Sequence, residues 1–286
     1  MFLVLSHKEP ALVERLMARL GDTETAVTVL HHDAKSRDVP GLPATGRARL
    51  MPNPASSGWG DMEIVHATLR CMRWVRNGIP DFSWIVLLSG QDYPVAAPRE
   101  IESELLVTPA DAFLSWEFVR PFVSRRSTDW QRGTSHRYYW RLFPGTHRPI
   151  PIPIPRLSAY FDGVGIHAGS QWWSFGRRAV ALILDDTAML NHLSGRFRSV
   201  LLPDEAFFQT MILNSPTNLN LVCSHRRFYR FVKAGGAPHP ETLTIEDLDE
   251  IRASGAFFAR KVDFRASAEL LDRLDSQHAG SLSPGT

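Results

Sequence analysis

The run Trp84-Ile-Val-Leu-Leu-Ser-Gly-Gln-Asp-Tyr-Pro94 constrains this chain more than any other segment. Trp84–Leu88 reads as a buried strand, and it passes directly into Ser89-Gly90 and the polar pair Gln91-Asp92. In an α/β protein, ligands sit where strands hand over to loops at their carboxyl ends. A glycine there lets a backbone come close to a ligand, and the neighbouring acid supplies a fixed charge. The pattern points to an enzyme with a small-molecule site.

The rest of the N-terminal third agrees. Phe2–Leu5 predicts a strand. Glu9–Leu20 predicts a helix, with Leu12, Val13, Leu16, Met17 and Leu20 at helical spacing and Gly21 placed to stop it. Ala26–Leu30 predicts a second strand, running into His31-His32-Asp33. Residues 36–58 are rich in Pro, Gly, Ser and Ala and read as a long loop. Asp61–Asn77 predicts the next helix, before the strand at Trp84. Strand, helix, strand, helix, strand implies a doubly wound α/β layer with a mostly parallel sheet flanked by helices.

The middle is less regular. Ala112–Trp116 reads as a strand, and residues 120–148 carry many Arg, Trp, Tyr and His. Pro149, Pro151, Pro153 and Pro155 alternate with isoleucine, which suits an extended surface segment and excludes a central strand. Gly169–Phe175 then predicts a strand and Arg177–Leu193 a helix. Pro203 opens a helix through Asn214, at the first position, where its missing N–H costs little. Thr244-Ile-Glu-Asp247 has the form of a capping box. Ala256–Phe264 predicts a last strand and Ala266–Leu274 a last helix, and residues 276–286 read as a flexible tail.

The 286 residues, 44% of them hydrophobic, suffice for one large domain. Lys plus Arg number 32 and Asp plus Glu 30, a formal charge of +2, which gives no case for a nucleic-acid partner. Cys71 and Cys223 read as buried thiols in a reducing compartment. Met1–Leu5 is too short for a signal core, and no apolar run reaches the ~20 residues that span a bilayer. The expectation is a cytoplasmic protein, with peripheral contact to the inner face of the membrane left open.

Several constellations bear on chemistry. No Gly-x-Gly-x-x-Gly or Walker-type loop is present. His31 and His32 are adjacent on a strand and point to opposite faces, so both cannot easily bind one ion. The one Asp-x-Asp triplet, Asp247-Leu-Asp249, falls in a helical pattern and reads as a solvated face, so no metal site is expected. In Pro203-Asp204-Glu205, helical geometry sets Asp204 in line with the apolar stripe of Phe207, Phe208, Met211 and Ile212, and Glu205 at its edge. A carboxylate held at a helix mouth can serve as a general base, and geometry alone does not choose between the two. Arg260-Lys261 interrupts an apolar stretch, so alternation turns one cation inward, where it needs an anion such as a diphosphate. Trp116, Trp130, Tyr138, Tyr139, Trp140, Trp172 and Trp173 could stack on sugar rings or fill a core.

Taken in order, Leu5-Ser-His-Lys8, His32-Asp33, Trp59-Gly60, Leu88-Ser-Gly-Gln-Asp-Tyr-Pro94, Gly169-Ser-Gln-Trp-Trp173, Pro203-Asp-Glu205, His239-Pro240 and Phe258-Ala-Arg-Lys-Val-Asp263 span nearly the whole chain. The set resembles the core-2/I-branching β-1,6-N-acetylglucosaminyltransferase family, which also includes the peptide O-xylosyltransferases. The resemblance implies a GT-A type fold, a UDP-sugar donor, and inversion at the anomeric carbon without a divalent metal. It implies one domain over residues 1–275, with a nucleotide-sugar half at about 1–110 and an acceptor and catalytic half at about 111–275.

By the same resemblance Glu205 matches the catalytic base and Lys261 the lysine on the UDP diphosphate. Arg227 matches the partner arginine, with Arg226 and Arg230 as alternatives. His7, Asp33, Trp59 and Asp92 fall at donor-side positions, and Glu117, Trp172 and Trp173 at acceptor-side ones. UDP-GlcNAc is the expected donor. UDP-xylose is the alternative, and a non-catalytic sugar-binding protein is the rival from another class. The acceptor would be a glycan, a glycolipid or a peptide.

Overall fold

A computed structural model describes residues 1–286 apart from 24, 45–46, 57, 59, 80, 143–150, 156–161, 199, 232–239 and 281–286, and apart from the side chains of 141–142, 151–155 and 277–280. The first half of the chain runs β1 (Phe2–Ser6), α1 (Pro10–Leu20), β2 (Thr28–His32), β3 (Ala48–Leu50), α2 (Met62–Gly78), β4 (Trp84–Ser89), β5 (Tyr93–Pro94), α3 (Pro98–Val107), β6 (Ala112–Leu114), β7 (Glu117–Phe118), α4 (Asp129–Tyr139) and β8 (Trp140–Leu142). The second half runs β9 (Pro151–Pro155), β10 (His167–Ala168), β11 (Ser174–Gly176), α5 (Arg177–Asp185), α6 (Thr187–Phe197), a 3-10 turn at Pro203–Glu205, α7 (Phe207–Leu213), β12 (Leu221–Cys223), β13 (Arg227–Phe228), a 3-10 turn at Ile245–Asp247, α8 (Leu248–Ala253), β14 (Phe258–Ala259) and α9 (Ala268–Gly280). This is the mixed α/β architecture, with mostly parallel strands flanked by helices, of a GT-A type fold.

Two compact units interleave along the chain. One comprises Met1–Ala55, Asp81–Pro109 and Arg226–Thr286, and the other Ser56–Pro80 and Ala110–His225. In the first, parallel strands lie in the order β4-β1-β2-β3. Leu5 stands opposite both His31 and Ser89, so β1, β2 and β4 deliver their carboxyl ends together. Leu3, Val4, Val29, Leu30, Ile85 and Leu87 are fully buried, as continuous apolar strands in a covered parallel sheet require. Helix α1 buries the five apolar residues its spacing marked. A second sheet, β13-β14-β5, brings the C-terminal segment back to the loop after β4.

In the second unit β6 pairs in parallel with β12 and antiparallel with β11. Two small antiparallel ladders, β7 with β10 and β8 with β9, complete it. Its core is aromatic. Trp173 stacks on Phe175 with ring centroids 3.8 Å apart, Phe208 meets both edge-on, and Phe207, Phe197 and Tyr138 continue the chain of edge contacts.

The elements depart from expectation where side-chain pattern is a poor guide. The stretch 36–58 contains β3, an edge strand held by backbone pairing while Arg49 and Leu50 stay exposed. Helices α3 and α4 lie in regions without a predicted helix. Arg177–Leu193 is two helices, because the Asp186 side chain caps α6 at the Met189 N–H, 2.9 Å away. The strand expected at Gly169–Phe175 is confined to Ser174–Gly176, and that at Ala256–Phe264 to two residues. Helix α9 continues to Gly280, so residues 276–280 are helical and not tail. The proline-rich segment is extended, as expected, within the two-stranded β8–β9 ladder. Cys223 is exposed, unlike the buried Cys71.

Candidate active site

The first unit gathers basic side chains at the carboxyl ends of its strands. His7 and Lys8 follow β1, and Lys261 follows β14. Lys261 is held in place by its backbone: its N–H donates to Glu241 O at 3.3 Å and its carbonyl accepts from Leu243 N at 2.8 Å. Val262 N donates to Gln91 O at 3.0 Å, tying this segment to the Ser89-Gly-Gln-Asp92 loop. The Lys261 side chain is half-buried and its ammonium lies below the ordinary lysine range, first through burial and then through Arg260 and Lys8. The His7 imidazole at the end of β1 also lies below the ordinary histidine range, through partial desolvation of its ring first and then through Lys8, so at neutral pH it offers a hydrogen bond and not a charge. Arg260 and Lys8 both oppose the charge on Lys261, and an anion bound here would relieve that repulsion.

Beneath them is a buried charge cluster. Asp92 is 0% exposed; its Oδ2 accepts from Ser89 N at 3.0 Å and its Oδ1 lies 3.5 Å from Arg260 Nη1. The inward-turning cation of the Arg260-Lys261 pair is therefore Arg260, and the anion it meets is Asp92 of the same chain. Asp92 was expected on the donor itself; with no exposed surface it instead fixes Arg260 from below. Arg227 is buried in the same cluster and donates to Leu87 O at 2.6 Å. Burial pushes its guanidinium down to about 10. The alternatives are engaged elsewhere, Arg226 with Glu104 at 2.5 Å and Arg230 with Asp247 and Glu250 at 2.5 and 2.8 Å. Arg227 is thus the arginine of this group that joins Asp92 and Arg260.

Two other donor-side residues have local structural work. Buried Asp33 accepts from Lys35 N at 2.8 Å through Oδ1, and its own N–H donates to Ser6 O at 2.8 Å, which shapes the loop whose Ser36 Oγ reaches His7 O. Gly90 was expected to admit a ligand. A Cβ there would stand 2.9 Å from Ser6 Cβ and from Val13 Cγ2, so its bareness serves the packing of β1 and α1. His31 and His32 are both buried, one accepting from Ala55 N and the other bonded to Ser6 Oγ at 2.7 Å. Among the described residues no group of three or more His, Cys, Asp or Glu side chains is arranged to hold a metal ion. Trp59 and His239 lie outside the described residues.

The second unit builds a carboxylate site on Pro203-Asp-Glu205. This segment is not the start of one long helix. Leu202 adopts φ 55° ahead of the proline, and Ala206 at φ −137° separates the 3-10 turn from α7. The turn is pinned on several sides: Leu202 N donates to Gly60 O at 2.9 Å, Tyr138 Oη to Leu202 O at 3.0 Å, and Gly169 N to Glu205 O at 2.8 Å. A Cβ on Gly169 would lie 2.0 Å from Ser115 O, so only glycine brings this backbone to Glu205.

The turn separates its two acids. Asp204 is 7% exposed, and its Oδ1 has no hydrogen-bond partner among the described residues. Burial, then the neighbouring Glu205 charge, pushes it up to about 7. Glu205 is half-exposed, with Oε2 2.7 Å from Arg137 Nη1 of α4. Burial raises its carboxyl and Arg137 opposes that rise. A protonatable, partly exposed carboxylate held by one guanidinium can accept a proton from a hydroxyl. Arg137 lies outside the helices that apolar spacing predicts, and Lys8 belongs to a motif that by itself implies no role for it.

The acceptor-side residues divide. Glu117 is exposed on β7, accessible to a ligand. Trp173 is 0% exposed and stacked in the aromatic core, so it is no sugar platform. Trp172 is largely buried as well, as are Tyr138 and Tyr139, while Trp130 remains exposed. The core reading prevails for Tyr138, Tyr139, Trp172 and Trp173, since α4 turns its two tyrosines inward and Trp173 packs on Phe175 and Phe208.

The chain matches the family model described as Core-2/I-Branching enzyme over residues 2–252. It is 26% identical over 257 residues to Xylosyltransferase 2 of Canis lupus familiaris, covering 83% of this chain and 28% of that protein. It is 23% identical over 259 residues to a Xylosyltransferase of Ciona intestinalis, again 83% and 28% of the two chains. Xylosyltransferase 1 of Canis lupus familiaris is 24% identical over 265 residues, 84% of this chain and 26% of that one. The chain thus spans about a quarter of the length of these relatives.

Proposed function

From a chain that belongs to the Core-2/I-Branching enzyme family, a family of glycosyltransferases, we propose a reaction: transfer of a sugar from a UDP-sugar to an acceptor hydroxyl, with inversion and without a divalent ion. The observation that carries the proposal is Glu205, a half-exposed carboxylate on a pinned turn, 2.7 Å from Arg137. Glu205 takes the proton of the acceptor hydroxyl as that oxygen bonds to the anomeric carbon. The bond from that carbon to the UDP oxygen breaks, and its electron pair leaves with the β-phosphate. Lys261, with Lys8 acting on it electrostatically, steadies the growing phosphate charge. Preorganised cations of this kind lower a barrier because they need no rearrangement as the charge appears. Arg260 and Arg227, held by Asp92, add fixed positive charge below.

UDP-GlcNAc is our first reading for the donor. UDP-xylose is the second, favoured by relatives that carry the name xylosyltransferase. The acceptor is a glycan, glycolipid or peptide hydroxyl, with the exposed Glu117 assigned to its recognition. The test incubates the protein with a panel of UDP-sugars and mixed acceptors in excess EDTA. Release of UDP with one sugar, undiminished by the chelator, is the expected result. Activity lost in EDTA and restored by manganese would overturn the metal-free mechanism, and activity with no UDP-sugar would overturn the function.

A further inference from the structure

Helix α4 is built to bring one side chain to the Pro203–Glu205 turn. Its start is fixed by a reciprocal cap, Gln131 N to Thr128 Oγ1 at 3.2 Å and Thr128 N to Gln131 Oε1 at 3.1 Å. Ser135 Oγ donates to Pro121 O at 3.1 Å. At its far end Tyr138 is buried and donates to Leu202 O, anchoring the helix to the turn. The preceding residue, Arg137, then meets Glu205.

We propose that Arg137 is the positioning residue of this site, holding the Glu205 carboxylate in one orientation and in its ionised form. The inference rests on the reading of Glu205 as the base. A free glutamate samples several rotamers, and one oxygen bonded to a guanidinium leaves the other in a fixed direction. A carboxylate at the edge of a buried turn also tends to protonate, and a cation in contact counters that.

The charged and titratable surroundings of Glu205 are few. Asp204 shares its turn, and α4 contributes Arg137 and Tyr138. Helix α2 brings its N-cap Asp61, which acts on Asp204, and Glu63 and His66, which face one another at 3.6 Å. Helix α7, packed directly behind, has no ionisable side chain. Arg137 is therefore the cation, among the described residues, that both approaches Glu205 and bonds to it.

The test follows the Glu205 carboxyl carbon by NMR in the full chain labelled with [13C]glutamate, the resonance being identified by its loss in Glu205→Gln. Arg137→Met should raise the titration midpoint by roughly 1 unit, the low end for losing an adjacent opposite charge because the pair is partly exposed. Arg137→Lys should keep it near wild type. In wild-type protein, 1 M KCl should shift the midpoint upward by screening, which needs no folded variant. The acid limb of the kcat/KM profile should move with the midpoint in Arg137→Met. A midpoint insensitive to salt and to Arg137→Met would overturn the inference. Absence of turnover in wild type, with the midpoint shifts intact, would instead overturn the reading of the site as a transferase.

Discussion

Replacing Asp204 with asparagine isolates the cost of burying an acid beside the candidate base. The side chain is 7% exposed and its carboxyl is raised from the ordinary 3.8 to about 7. A folded-state value above the unfolded one means that the fold prefers the protonated acid. Stability is then greatest below the unfolded value, falls as pH rises toward 7, and is flat beyond. A span of about 3 units at 1.4 kcal/mol each gives a total penalty of about 4 kcal/mol. Roughly 2 to 3 kcal/mol of it develops between pH 5 and pH 8. The amide keeps the shape and does not titrate, although its NH2 needs an acceptor, so absolute stability is not the readout. Urea unfolding of both proteins at pH 5 and pH 8 is. Wild type should lose roughly 2 to 3 kcal/mol more over this interval than Asp204→Asn. Identical pH dependence in the two would refute the argument that this acid is held neutral by its surroundings.

Three further outcomes are expected. Lys261→Ala should weaken UDP binding about tenfold or more, the value of a lost charge-assisted contact; unchanged affinity by calorimetry would remove Lys261 from the diphosphate. Asp92→Ala strips the carboxylate from buried Arg260 and Arg227 and should cost ~3–5 kcal/mol in urea unfolding, against which a loss under about 1 kcal/mol would count. A thiol reagent at pH 8 should label Cys223 alone in the native protein and both cysteines in denaturant, because Cys71 is buried and its thiol is pushed up to about 12. Native labelling of both would contradict the packing of α2.

The parallel sheet and its helices α1 and α2 were legible because apolar spacing records burial, and these elements are buried on schedule. Strand β3 left no such trace, since it is held by backbone bonds at an edge. Helix α4 is polar along most of its length, yet Thr128 and Gln131 carried a capping-box signal that would have marked its start. Finding it would have put Arg137 in the last turn of a helix that ends just before β8, and within view of the site question. The Pro203 turn misled for a different reason. Acidic first-turn residues after proline look the same whether an α-helix or a 3-10 turn follows, and only the φ values of Leu202 and Ala206 separate them. That difference buries Asp204 and leaves Glu205 accessible, a distinction helical geometry alone did not draw. Trp173 and Asp92 show the complementary limit. A motif identifies a position, but the packing around it decides whether a ligand can touch it.

The most direct measurement compares wild type with Glu205→Gln for product formation from the donor that wild type uses, alongside UDP affinity for each. The account predicts UDP bound equally well and product reduced by two to three orders of magnitude or more, since roughly 10²–10⁴ in rate rests on a positioned base. Product formed by Glu205→Gln at a rate near that of wild type would contradict it.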